Sequence, residues 1–143
     1  MSVKSNPQIV VYALADACAA LQAAVECDIE ISLVSPAGAA AYGGPAWFRE
    51  VVAQAHDAVP GAAFDSVLDC ATEAGHALAA IRDGVQAICF EGPEDVRGKI
   101  QDIAIQSGCA IVKIDYEHAL DLNQCADAAA ACRDWLALQT ANK

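Results

Sequence analysis

Residues 59–92, VPGAAFDSVLDCATEAGHALAAIRDGVQAICFEG, restrict the fold more than any other stretch of the chain. Pro60-Gly61 opens it, and residues 64–68 form a short, mostly apolar run that reads as a strand. Asp69-Cys70 stands where that strand should end. Thr72 is placed to cap a helix whose apolar positions Ala74, Ala77, Leu78 and Ile81 recur at i, i+3, i+4 and i+7. Gly84 supplies a left-handed stop, and residues 85–90 make a second apolar run. Two strands joined through a helix by tight turns form the parallel-sheet unit, so the fold class is α/β.

The same alternation extends in both directions. Residues 8–14 are a continuous apolar strand, and Asp16 is placed to cap a helix that carries Ala17, Leu21, Ala24 and Val25 inward as far as Cys27-Asp28. Residues 29–34 are the second strand. The longest irregular piece follows, SPAGAAAYGG at 35–44, with Pro45 suited to open the next helix. That helix presents Phe48, Val51, Val52, Ala55 and Val59 inward. After the central unit, Gly92-Pro93 starts a fourth helix with Glu94 and Asp95 in its first turn, and Gly108 stops it. Residues 110–114 are the fifth strand. Asp115-Tyr116-Glu117-His118 crosses to a last helix over 122–139. The whole chain, 1–143, reads as one domain without a linker or low-complexity tract.

Five strands alternating with five helices close in one of two ways. The favoured one is an open, mostly parallel sheet of flavodoxin-like order 2-1-3-4-5 with helices on both faces. The alternative is a curved (βα) half-barrel, because the unit LDCATEAGHALAAIRDGVQAICFEG resembles a barrel repeat. The Ala-rich strand–helix units and the SPAGAAAYGG loop resemble a family of small bacterial α/β proteins, and that resemblance implies no activity.

Composition excludes some classes of function. Nineteen acidic residues against eight basic ones give a formal charge of −11, so the field repels phosphate backbones and anionic lipid. Neither nucleic acid nor a membrane is an expected partner. The seven cysteines (18, 27, 70, 89, 109, 125 and 132) sit singly in apolar segments, which fits reduced thiols in a cytoplasmic protein. The apolar start of the chain is interrupted by Asp16 and needed as a strand, so it does not read as an export signal.

In either closure, chemistry collects at the carboxyl ends of the strands. Those ends read Asp16, Ser35, Asp69-Cys70, Glu91 and Asp115-Tyr116. In the 2-1-3-4-5 order Asp16 and Asp69-Cys70 face each other across the crevice. No motif predicts a cofactor; a divalent cation, if one binds, would use Asp16, Asp69 and Glu91, since magnesium tolerates few protein oxygens and several waters. Response-regulator receiver domains are similar in placing an aspartate where Asp69 stands. The likeness ends there: no acidic pair follows strand one, strand four ends in Phe90-Glu91 instead of Ser or Thr, and no proline follows Lys113.

For catalysis the candidates are Asp69, Cys70 and His76, with Cys70 as nucleophile before a helix start and His76 as its base. For binding, the candidates are Ser35, Gly38, Tyr42, Gly44 and Trp47 of the glycine loop, together with Asp16. Free N–H groups of such a loop and of the following helix start hold carboxylate or phosphate. The loop matches neither nucleotide-binding glycine motif, and strand one lacks the hydroxyl-rich loop of flavodoxins. The expectation is therefore a domain binding a small anionic metabolite at this rim. An enzyme using the same rim, through a metal or Cys70, and a pure assembly protein are the alternatives. The apolar stripe Leu122, Cys125, Ala129, Cys132 and Leu136, with Trp135 and Leu138 on its flanks, also predicts a homodimer through the last helix.

Overall fold

The computed structural model describes residues 6–123 and 125–141. Its strands are β1 (Gln8–Val10), β2 (Ile31–Val34), β3 (Phe64–Asp69), β4 (Ala87–Cys89), β5 (Ala110–Ile111) and β6 (Leu120–Asp121). Its helices are α1 (Leu14–Cys27), α2 (Gly44–Ala58), α3 (Ala74–Arg82), α4 (Glu94–Ser107) and α5 (Ala128–Ala141), with a 3-10 turn at Ala39–Ala41. The fold is α/β with a parallel sheet, as the strand–helix alternation requires.

The strand order differs from the favoured expectation. The sheet has six strands in the order β5-β4-β3-β2-β1-β6, every neighbouring pair parallel. The order 2-1-3-4-5 would put β1 beside β3, but β2 lies between them. From β1 to β5 the chain adds each strand beside the last, which is the sequential order of a (βα) half-barrel. Right-handed crossovers that always advance in one direction leave their helices on one face.

The packing agrees. Ile9, Val11, Ile31 and Leu33 pack with α1, α2 and α5, while Leu68 and Ile88 pack with residues of α2, α3 and α4. The alternate residues Val10, Val34, Val67, Ala87 and Cys89 gather on the other face with Ile114 and half-buried Tyr12, Val112 and Ala119. That cluster contains no helical residue. Helices on both faces are therefore not observed; residues 112–119 cover the inner face as a strap.

The strap also shows that the sheet is curved. Val112 N–H donates to Ile88 O at 2.9 Å, continuing the β4–β5 ladder. One residue later, Lys113 O accepts from Gln8 Nε2 at 3.0 Å, and Asp115 N–H donates to Gln8 Oε1 at 2.8 Å. A flat sheet would hold the first and fifth strands of this run about 19 Å apart. Two residues of chain reach about 7 Å, and one glutamine side chain does not make up the rest.

Several element boundaries move for local reasons. Leu14 starts α1 and does not end β1; the N-cap is Ala13, and Asp16, in the first turn, accepts from Tyr12 N–H at 2.9 Å. The cap of α3 is Glu73, not Thr72. The fifth strand stops at Ile111 because the chain then turns across the inner face, and the two-residue β6 pairs with β1. The last helix begins at Ala128, where Asp127 Oδ1 accepts from Ala130 N–H at 3.0 Å. Leu122 and Cys125 therefore precede the helix, and Gln124 lies outside the described residues. The glycine stop of α4 is as expected, with Gly108 left-handed at φ 75°.

Candidate functional site

Past the apolar layer of the inner face, the alternation brings Tyr12, Asp69 and Cys89 to the carboxyl ends of β1, β3 and β4. Asp69 is buried, and its surroundings explain why it tolerates that position. Oδ2 accepts from Gly38 N–H at 2.7 Å, and Oδ1 accepts from Ala71 N–H at 3.1 Å. Its own N–H donates to Ser35 Oγ at 2.9 Å. Gly38 sits at φ 69°, a conformation glycine adopts without strain, and this aims its N–H at the carboxylate. Ala71 carries φ 51° without that freedom.

Above Asp69 lies Tyr116 of the strap, whose hydroxyl donates to Ser35 O at 2.8 Å. Burial raises this phenol far above its ordinary pKa, and the Asp69 carboxylate beside it adds to the shift. Tyr12 is pushed up to about 12, first by burial and then by the neighbouring Asp121. Both phenols thus stay protonated, as hydrogen-bond donors, through the neutral range. Tyr116 was expected only as part of a strand end, with no role of its own, and Tyr12 was not expected at the site. Tyr12 was within reach of sequence reading, because it follows Val10 in period two.

The residues expected to bind a ligand do not come together as one pocket wall. Ser35, Gly38 and Asp69 meet through the bonds just given. Tyr42 points outward, 73% exposed, with its hydroxyl donating to Ala37 O at 2.8 Å. Trp47 and Cys70 pack into the helix-side core with Phe48. Gly44 opens α2, and the loop N–H groups of Ala39, Ala41, Tyr42 and Gly43 all donate within the loop. Those four loop donors are therefore not free to hold an anion.

The catalytic set fares similarly. The Cys70 thiol is buried and its pKa is pushed up to about 12, by desolvation first and the Asp69 carboxylate second. Its Sγ lies 3.9 Å from Leu68 O. His76 is half-buried on α3, and among the described hydrogen bonds none joins it to Cys70. A thiolate nucleophile is disfavoured at this position. Asp16, Asp69 and Glu91 do not converge either, since Asp16 is held on Tyr12 N–H and β2 separates its strand from β3. Among the described residues, the acidic and histidine side chains within ligand range of one another are Asp115, Glu117 and His118, all exposed. All seven cysteines are free thiols.

A cleft of about 580 Å³ does open on the rim, beside β4 and β5. Its walls are Cys89, Phe90 and Glu91 from the end of β4, Glu94, Arg97, Gly98 and Gln101 from α4, and Ile111 to Lys113. It lies where the chain turns from β5 into the strap instead of directly into a helix, beside α4, which packs on α3. Two of the chain's eight basic residues, Arg97 and Lys113, line this space. Their joint position follows from the β4–β5 pairing, which spacing alone does not reveal.

Comparison with models of known protein families and with curated protein sequences gives no match. Among the described residues, no helix is long and apolar enough to cross a membrane.

Proposed function

We propose that this protein binds a small anionic metabolite at the carboxyl-end rim, in the cleft between α4 and the ends of β4 and β5. The observation that carries this reading is the convergence of Arg97 and Lys113 on one rim cleft in a chain of net charge −11. Gln101 adds an amide, and open space around Gly98 allows a ligand to approach the helix backbone. The guanidinium offers a fork to a carboxylate or phosphate, and the ammonium a second charge. Glu91 and Glu94 on the same walls favour a ligand that also presents hydroxyl or ammonium groups, and they weaken the hold on a bare anion. Binding is favoured over catalysis because the Cys70 thiol is held protonated and both oxygens of Asp69 serve backbone N–H groups.

Calorimetry with inorganic phosphate, pyrophosphate and small hydroxy-dicarboxylates tests the reading. One of these should give saturable heat that Arg97→Glu abolishes and Asp69→Asn leaves in place. No saturable heat with any of them, together with an unchanged melting temperature, would refute it.

A further inference from the structure

A second cleft, of about 750 Å³, lies at the opposite end of the sheet, between α2 and the amino ends of β3 and β4. We infer that it binds a small monocarboxylate with a flat or branched apolar body, independently of the rim cleft. Its floor is Phe48 and Val85, both buried, continued by half-buried Val52 and Phe64. The His56 ring stands 5.9 Å from that of Phe64 at 49°, so one wall is aromatic. Arg49, Val52 and His56 recur at i, i+3 and i+7 and form a single stripe of α2 facing the cleft. A concave apolar surface with a few convergent polar groups, in this size range, is what a small-molecule site requires.

The polar groups identify the ligand's charged end. Arg49 Nη1 donates to Asp83 O, which fixes the guanidinium over the turn at Gly84. Among the described residues no carboxylate pairs with Arg49, although the chain carries nineteen acidic residues. Its remaining N–H groups are free for an incoming carboxylate. Gln86 Oε1 accepts from both the N–H and the hydroxyl of buried Ser66, which orients the amide and leaves its Nε2 as a further donor on the same side. Glu30 and Asp65 line the end of the cleft near β2, where the Asp65 carboxylate itself turns to the Ser32 hydroxyl. Glu30 opposes a multiply charged anion such as phosphate, whereas a single carboxylate is held at Arg49.

The probe is 4-fluorophenylacetate, titrated into the full chain and followed by two-dimensional amide NMR. Saturable shifts should centre on Val52, Phe64, Gly84 and Val85. Arg49→Met should weaken binding by about tenfold, the loss expected of one charge-assisted pair. Arg97→Ala should leave it unchanged, which separates this site from the rim cleft. Val52→Trp, filling the cleft from the helix side, should abolish binding and serves where Arg49→Met fails to fold. Absence of saturable shifts up to about 10 mM would overturn the inference, since such affinity is too weak for a site. Shifts centred on residues 91–101, or Arg49→Met or Val52→Trp binding as tightly as wild type, would overturn it equally.

Discussion

Asp69 is held at the rim by two backbone donors, with the Tyr116 phenol beside it. Asp69→Ala leaves the Gly38 and Ala71 N–H groups without their acceptor and should cost about 2–4 kcal/mol in denaturant unfolding. Asp69→Asn keeps one acceptor oxygen and should cost less. The thiols divide by burial. Cys70, Cys89 and Cys132 are pushed up to about 12, 11 and 12, each mainly by burial, and Cys109 is raised as well. Alkylation at pH 8, followed by mass spectrometry, should therefore modify the half-buried Cys18, Cys27 and Cys125 first. Early labelling of Cys70 would reopen it as a nucleophile. On the strap, His118 Nδ1 lies 2.8 Å from Asp115 Oδ2, raising the His118 pKa and lowering that of Asp115. The pair stabilises the fold only while histidine is protonated and aspartate ionised. It fades as pH rises through the raised His118 pKa and again as pH falls through the lowered Asp115 pKa. An NMR titration should place His118 above an ordinary histidine, and Asp115→Asn should remove the shift.

At the scale of elements, period and stop residues made the fold class legible. The runs that became β1 to β4, the helix of the central unit and the left-handed Gly108 are all visible in the sequence. Strand order is not, because a strand buried on both faces carries the same apolar run whichever neighbours it has. The order decided the site: with β2 between β1 and β3, Asp16 and Asp69 lose the crevice that would have joined them. The strap was hidden for a related reason. Residues 112–114 continue an apolar alternation, so nothing local marks the turn across the inner face. The start of α5 was readable, since Asp127 precedes a run of alanines and caps them, yet Leu122 and Cys125 extended the helical spacing upstream by chance. Once docked on α1, α5 buries Leu136 and Cys132 completely. Leu136→Ala should therefore cost about 2–5 kcal/mol in thermal or denaturant unfolding, the range for a leucine whose site cannot collapse. A loss well under 1 kcal/mol would mean that α5 is not held by this contact.

At the scale of the molecule, the sheet leaves one edge and one helix flank uncovered. β5 pairs with β4 on one side and with no strand on the other among the described residues. On α4, which packs beside it, Ile105 is 68% exposed, and Ile111 of β5 is exposed as well. The final helix, expected to carry a dimer, spends its stripe on α1 and keeps Leu138 as its large exposed apolar side chain, at 61%. We propose that the chain self-associates, and that the β5–α4 edge, not α5, is the contact. An unpaired strand edge presents a row of N–H and C=O groups that a second copy can complete, and flanking apolar side chains add the burial a stable contact needs. Ile111 also lines the rim cleft proposed to bind an anion, so a copy seated there would make such binding depend on protein concentration. Light scattering over a dilution series should show a dimer mass that falls on dilution. Ile105→Glu should give a monomer at every concentration, and Leu138→Glu should behave as wild type. The reverse pattern would return the interface to α5, and a monomer throughout for the unmodified chain would end the idea of self-association.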